Sequence, residues 1–211
     1  MTSKIYIVFD NFELKLFSVF LTLWLIAYYQ PIPSLRIQRD KLSNVHSVPL
    51  VILAFLSLEN KIPESIPLCY SSSFFAVDVI DEGFIKRDIM FTVHGLISLG
   101  LNLGTAMSPR HCALRSVSKG YLTESSTPAF NYWKGSKSYI SFVVFFLCFT
   151  MCRMIWVPYF LHDTYITQLN GETDLLLYLS VMFYLLQTAW YVKMCEMLAN
   201  YRFPKRVEDT E

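Results

Sequence analysis

The sequence predicts an all-α fold, a polytopic transmembrane bundle of six or seven helices. Three observations predict it. Of the 211 residues, 54% are hydrophobic and 16% aromatic, more than a soluble domain of this size carries. The 18 Lys and Arg and the 17 Asp and Glu crowd into short segments and leave long uncharged stretches between them. Several of those stretches approach or reach the length that crosses a bilayer, about 17–25 residues. The near-balance of charge also argues against nucleic acid as a partner, which needs a net basic stripe.

The first run is Leu14–Gln30; its uncharged part, Leu16–Tyr29, follows Asp10, Glu13 and Lys15, and the run ends at Pro31 and Pro33, which cannot continue a helix. It lacks the basic start and small-residue cleavage site of a signal peptide, so it is expected to be retained. Val45–Leu58 is a short second run with His46 near its start and Pro49 one turn later. Ser65–Ile80 is the third, interrupted by Asp78. Ile89–Met107 is the fourth and contains His94. Tyr139–Leu161 is the fifth and contains Arg153. Leu175–Met197 is the sixth, with Gln187, Lys193 and Glu196 towards its end. Ser108–Ser138 carries Arg110, Arg115, Lys119, Glu124, Lys134 and Lys137 and reads by hydropathy as a loop. It becomes a seventh crossing only if protein sheathes its polar groups. In either counting the basic tail Arg202–Arg206 falls on the Lys/Arg-rich face, so the C-terminus is expected on the cytoplasmic side. The last residues, Val207–Glu211, read as a short acidic disordered tail.

Cys69, Cys112, Cys148, Cys152 and Cys195 show no metal-ligand spacing, and no metal site is expected. Cys148 and Cys152 share a helix face and read as small packing residues.

Ionisable groups within spans are expensive, about 2.5–3.5 kcal/mol each near the bilayer centre, and mark candidate sites. Asp78 reads as an interfacial aspartate or as a partner for Arg153. His94 reads as a general base or as a packing residue that bonds across helices. His46 is the weaker candidate, since water reaches the start of a helix. Arg153 follows an uncharged stretch from Ser138 to Cys152 and needs either a carboxylate, Asp78 or Glu124, or a bound anion such as a phosphate. In Thr123–Pro128 the proline breaks a helix and frees carbonyls that hydroxyls and Asn131 satisfy.

Five strings in this order resemble a known family. They are Ser43–Ser47 with His46, Ser73–Asp78, Asp88–His94, Glu124–Asn131 and Arg153 followed by Pro158. The chain resembles the TLC-domain proteins, which include ceramide synthases and the translocating-chain-associated membrane protein, from about Ser43 to Tyr201. The resemblance implies helices arranged around a central cavity, residence in an internal membrane such as the endoplasmic reticulum, and handling of lipids or acyl chains. His46, Asp78, His94, Glu124, Asn131 and Arg153 would line or brace the cavity. The implied division is an N-terminal helix and loop over 1–42, a TLC-like bundle over 43–201 and a polar tail over 202–211.

Two departures bear on activity. The acyl-transferring members carry adjacent histidines, and here Gly95 follows His94. They also carry a paired-aspartate segment, and here Arg110–Tyr121 is basic and holds no aspartate. Nothing then orients the imidazole or offsets its charge, so ceramide synthesis is disfavoured. The leading expectation is a protein without catalysis or cofactor that binds membrane lipids or shapes their composition. The alternatives are an accessory subunit of a larger membrane complex, and an acyltransferase that uses acyl-CoA with His94 as its base.

Overall fold

The structure, a computed structural model, describes residues 11–29 and 39–200. Each apolar run folds as a helix, and the described residues hold no strand. Helix α1 spans Asn11–Tyr29, α2 Arg39–Leu58, α3 Ser65–Ile80 and α4 Ile89–Ala106. A π-turn, Asp81–Lys86, prolongs α3. Then come α5 (Pro109–Ala113), α6 (Ser116–Tyr121), a 3₁₀ stretch (Leu122–Ser126) and α7 (Thr127–Ser136). α8 (Tyr139–Phe149) continues through a π-turn (Thr150–Ile155) into α9 (Trp156–His162) and a second π-turn (Asp163–Gln168). α10 is Leu175–Ala199. Five stretches are long and apolar enough to cross a membrane: Asn11–Tyr29, Lys41–Leu58, Ile89–Ala106, Tyr139–Gln168 and Leu175–Ala199.

Local chemistry sets the helix starts. Asp88 accepts from the Met90 and Phe91 amides at 3.1 and 3.3 Å, and Asp174 from the Leu177 amide at 2.9 Å. These bonds satisfy amides that a helix start leaves unpaired. Pro49 inside α2 has no N–H for the Val45 carbonyl one turn earlier. The Tyr70 hydroxyl of α3 donates to that carbonyl at 2.7 Å.

α3 is the central helix. Leu68, Cys69 and Val77 are buried, and Trp24 and Tyr28 of α1 pack with its Phe74 and Phe75. Lipid tails are as apolar as these side chains, so close packing and interhelical hydrogen bonds hold the helices together. One such chain runs from Tyr121, whose hydroxyl donates to Asn102 Oδ1 at 2.9 Å, to Ser71, which accepts from Asn102 Nδ2 at 3.4 Å.

The stretch 108–138 is not a loop. It is helical along most of its length, and Val117, Ser118, Tyr121, Thr123, Glu124, Ser126 and Asn131 are buried. Its residues line two cavities in chain order, the smaller from His111 to Glu124 and the larger from Glu124 to Lys134. α10 does the same, with Leu176, Ser180 and Phe183 on the smaller cavity and Trp190 to Met197 on the larger. The polar stretch therefore runs through the bundle alongside the apolar helices. Pro128 lies in the first turn of α7, where its missing N–H goes unneeded, so it starts a helix and does not break one.

His46 is likewise not at a helix start. α2 begins at Arg39, before the apolar run, and His46 is 2% exposed. Residue 42 falls within α2, and the tail 202–211 and the Pro31–Pro33 stretch lie outside the described residues.

Candidate functional site

The larger cavity, of about 520 Å³, brings together all six candidate residues: His46, Asp78, His94, Glu124, Asn131 and Arg153. Five separate segments supply them: α2, α3, α4, the stretch from Glu124 into α7, and the π-turn after α8. Phe74, Phe75, Phe130, Phe145, Phe149 and Trp190 make most of the apolar wall.

Arg153 is 6% exposed. Its Nε donates to Ser126 Oγ at 3.0 Å, Nη1 to Gln187 Oε1 at 2.6 Å, and Nη2 to Glu124 Oε1 and Thr127 Oγ1, both at 3.4 Å. The guanidinium also lies 5.2 Å from the Phe149 ring centroid. Thr127 in turn donates to Glu124 Oε2 at 2.7 Å. Four of the five N–H directions of the fork meet protein acceptors, so Arg153 is an internal brace with little left for an anion. Its carboxylate is Glu124. Asp78, the other candidate, accepts from the Tyr28 hydroxyl of α1 at 2.9 Å. The π-turn that holds Arg153 departs from regular helical spacing, as such turns do at functional sites.

The histidines are placed differently. His46 lies face to face on Phe74, with ring centroids 3.7 Å apart. His94 is surrounded by Phe75, Phe183 and Trp190 at 5.4–5.9 Å. Phe75 stands between the two imidazoles, 5.4 Å from His46 and 5.9 Å from His94. His46 Nε2 and His94 Nδ1 are buried, and neither has a hydrogen-bond partner among the described residues. Buried polar atoms are normally paired, so each marks a place for a further donor or acceptor. Asn131 is engaged, its Nδ2 donating to Asn44 Oδ1 at 2.7 Å.

Gly95 explains the missing second histidine. A Cβ there would meet Val79 Cγ2 at 2.7 Å, and Asp78 Oδ2 lies 4.0 Å away. The position faces the α3 contact, where the absence of a side chain lets the helices approach closely.

Sequence reading missed Gln187 as a site residue. It is fully buried and accepts from Arg153, and a polar residue inside the last apolar run is its visible signal. Tyr28, Phe74 and Phe75 were also missed, since apolar residues in an apolar run carry no such signal. Lys134 and Lys193 line the same cavity, and Lys134 lies 5.4 Å from the Phe130 ring centroid.

The sequence model of the TLC domain matches residues 59–196. The match begins after α2, so Ser43–Ser47 lies outside it. No curated protein and no solved structure matches the chain. The matched span covers well over half of the chain and includes Asp78, His94, Glu124, Asn131 and Arg153. The chain is a multi-pass membrane protein, and it belongs to the TLC-domain family.

Proposed function

We propose that this protein holds a membrane lipid in the larger cavity and so influences lipid composition, without ceramide synthase activity. One observation carries the reading: an aromatic-walled cavity holds two buried histidine nitrogens, His46 Nε2 and His94 Nδ1, with no hydrogen-bond partner among the described residues. Pockets for small ligands run from about 300 to 1,000 Å³, mostly apolar with a few convergent polar groups, and this cavity has that character. A lipid hydroxyl or amide against either imidazole would supply an absent hydrogen bond, with its chain along Phe130, Phe145 and Phe149.

Acyl transfer at His94 is less favoured. Aromatic rings surround the imidazole, and no described carboxylate bonds Nδ1 to orient it. Residence in an internal membrane, with the C-terminus on its cytoplasmic side, is part of the same proposal.

Lipid mass spectrometry of the purified protein tests the reading. The expected result is one lipid class enriched over the bulk detergent extract and depleted in the His46→Ala/His94→Ala protein. A wild-type preparation with the same lipid profile as the bulk extract would overturn it.

A further inference from the structure

The smaller cavity, of about 80 Å³, holds a separate polar constellation towards the other end of the bundle. His111 of α5 is buried with both ring nitrogens engaged. Nε2 lies 2.7 Å from Asp174 Oδ2, and Nδ1 lies 3.1 Å from Ser116 Oγ. A carboxylate only accepts, so Nε2 carries a proton, and in the neutral imidazole Nδ1 is then the acceptor for the Ser116 hydroxyl.

Each member is fixed by its neighbours. Asp174 caps α10 with its other oxygen, Oδ1, which takes the Leu177 amide at 2.9 Å and the Tyr165 hydroxyl at 3.3 Å. Burial works to raise the Asp174 pKa, but Leu177, His111 and Tyr165 together hold it below the usual carboxylate value. Ser116 follows Arg115, whose backbone is left-handed with φ 51°. The Arg115 side chain is tied to Ser57 Oγ, Asn60 Oδ1 and the Ile62 carbonyl at 2.6–3.1 Å, which fixes the direction in which the chain enters Ser116. His111 and Ser116 both line the cavity. So does Thr164, whose buried hydroxyl has no hydrogen-bond partner among the described residues. Leu101, Val157, Phe160 and Leu176 are apolar wall.

We propose that Ser116, His111 and Asp174 form a serine nucleophile site that cleaves a carboxylic ester with a short acyl group, the only kind of acyl group that a cavity of about 80 Å³ admits. Ser116 Oγ attacks the ester carbonyl carbon, and its proton passes to His111 Nδ1. Asp174 offsets the imidazolium through Nε2–H. The carbon–oxygen bond to the leaving alcohol breaks, and that alkoxide takes the proton from Nδ1. Water, deprotonated by the same nitrogen, then hydrolyses the acyl-Ser116 ester and returns the serine. The unpartnered Thr164 hydroxyl is the donor available to the carbonyl oxygen as it becomes negative. The arrangement has the roles of a Ser-His-Asp triad, with the two imidazole nitrogens exchanged. It uses none of the six residues of the larger cavity except Glu124, which forms wall in both, and does not depend on the lipid-binding proposal.

The test uses the full-length protein in detergent with a short-chain alkyl fluorophosphonate, read by intact mass and peptide mapping, alongside hydrolysis of p-nitrophenyl acetate. The expected result is one adduct, on Ser116, and ester hydrolysis above that of buffer. Both are lost in Ser116→Ala and slowed by ~10²–10⁴-fold in Asp174→Asn, the scale of general-base catalysis. Asparagine caps a helix as well as aspartate, so that variant keeps the start of α10. Wild-type protein with an intact melting transition that takes no label on Ser116 would overturn the proposal, as would unchanged labelling in Asp174→Asn.

Discussion

The Tyr70 hydroxyl of α3 donates, at 2.7 Å, to the Val45 carbonyl that Pro49 deprives of its helical partner. A proline in the second half of α2 is thus compatible with a membrane helix because a neighbouring helix completes its bonding. Tyr70→Phe removes that donor and leaves the carbonyl unpaired. The expected loss is about 0.6–2 kcal/mol, seen as a lower melting temperature in detergent. Tyr70→Phe in a Pro49→Ala background should lose much less, because alanine restores the N–H.

Arg153 and Glu124 form an internal pair, and breaking it differs from replacing it. Glu124→Gln or Arg153→Met alone leaves one buried charge uncompensated, with an expected loss of about 3–5 kcal/mol. The double variant should be more stable than either single one. A double-mutant cycle on thermal unfolding checks this, and additive losses would contradict the pairing.

Gly95→His does not rebuild an adjacent histidine pair. The new side chain would enter the α3 contact at Val79, where even a Cβ sits at 2.7 Å. The expected outcome is overpacking, about 1–3 kcal/mol of lost stability, with no acyl transfer gained in an acyl-CoA assay.

Glu64, between α2 and α3, gives a pH dependence with a definite sign. Burial pushes its carboxyl above the ordinary 4.5, against the pull of Ser118, Ser57 and the Arg115 charge. The folded protein therefore holds this proton more tightly than the unfolded chain. Its contribution is full below pH 4.5 and is lost as pH rises through the raised folded value. Melting temperature against pH should carry this decline in the wild type and be flatter across the same window in Glu64→Gln.

The apolar helices were legible because span length and uncharged runs are properties of the chain itself. Ser65–Ile80 was read with its helical bounds as observed. The stretch 108–138 was not, because hydropathy scores each side chain as if it met solvent or lipid alone. Its polar groups meet each other and their neighbours: Ser118 both amide and hydroxyl to Glu64, Glu124 to Arg153, Asn131 to Asn44. His46 was placed too near water because the opening turns of α2 are polar and invisible to a search for apolar runs. The cost of burying charge marked Asp78 and Arg153 and pointed to Glu124 as a carboxylate for Arg153, but not to Tyr28 or Gln187. Tyr28 and Gln187 come from the first and last helices, and only folding brings them near.

The order of synthesis acquires a meaning from the traverse built of α5, α6 and α7. Glu124 leaves the ribosome before Arg153, and Arg153 before Gln187. A segment this rich in charge has no stable place among acyl chains until those later partners arrive. The buried contacts of this stretch are therefore complete only once both later helices have been made.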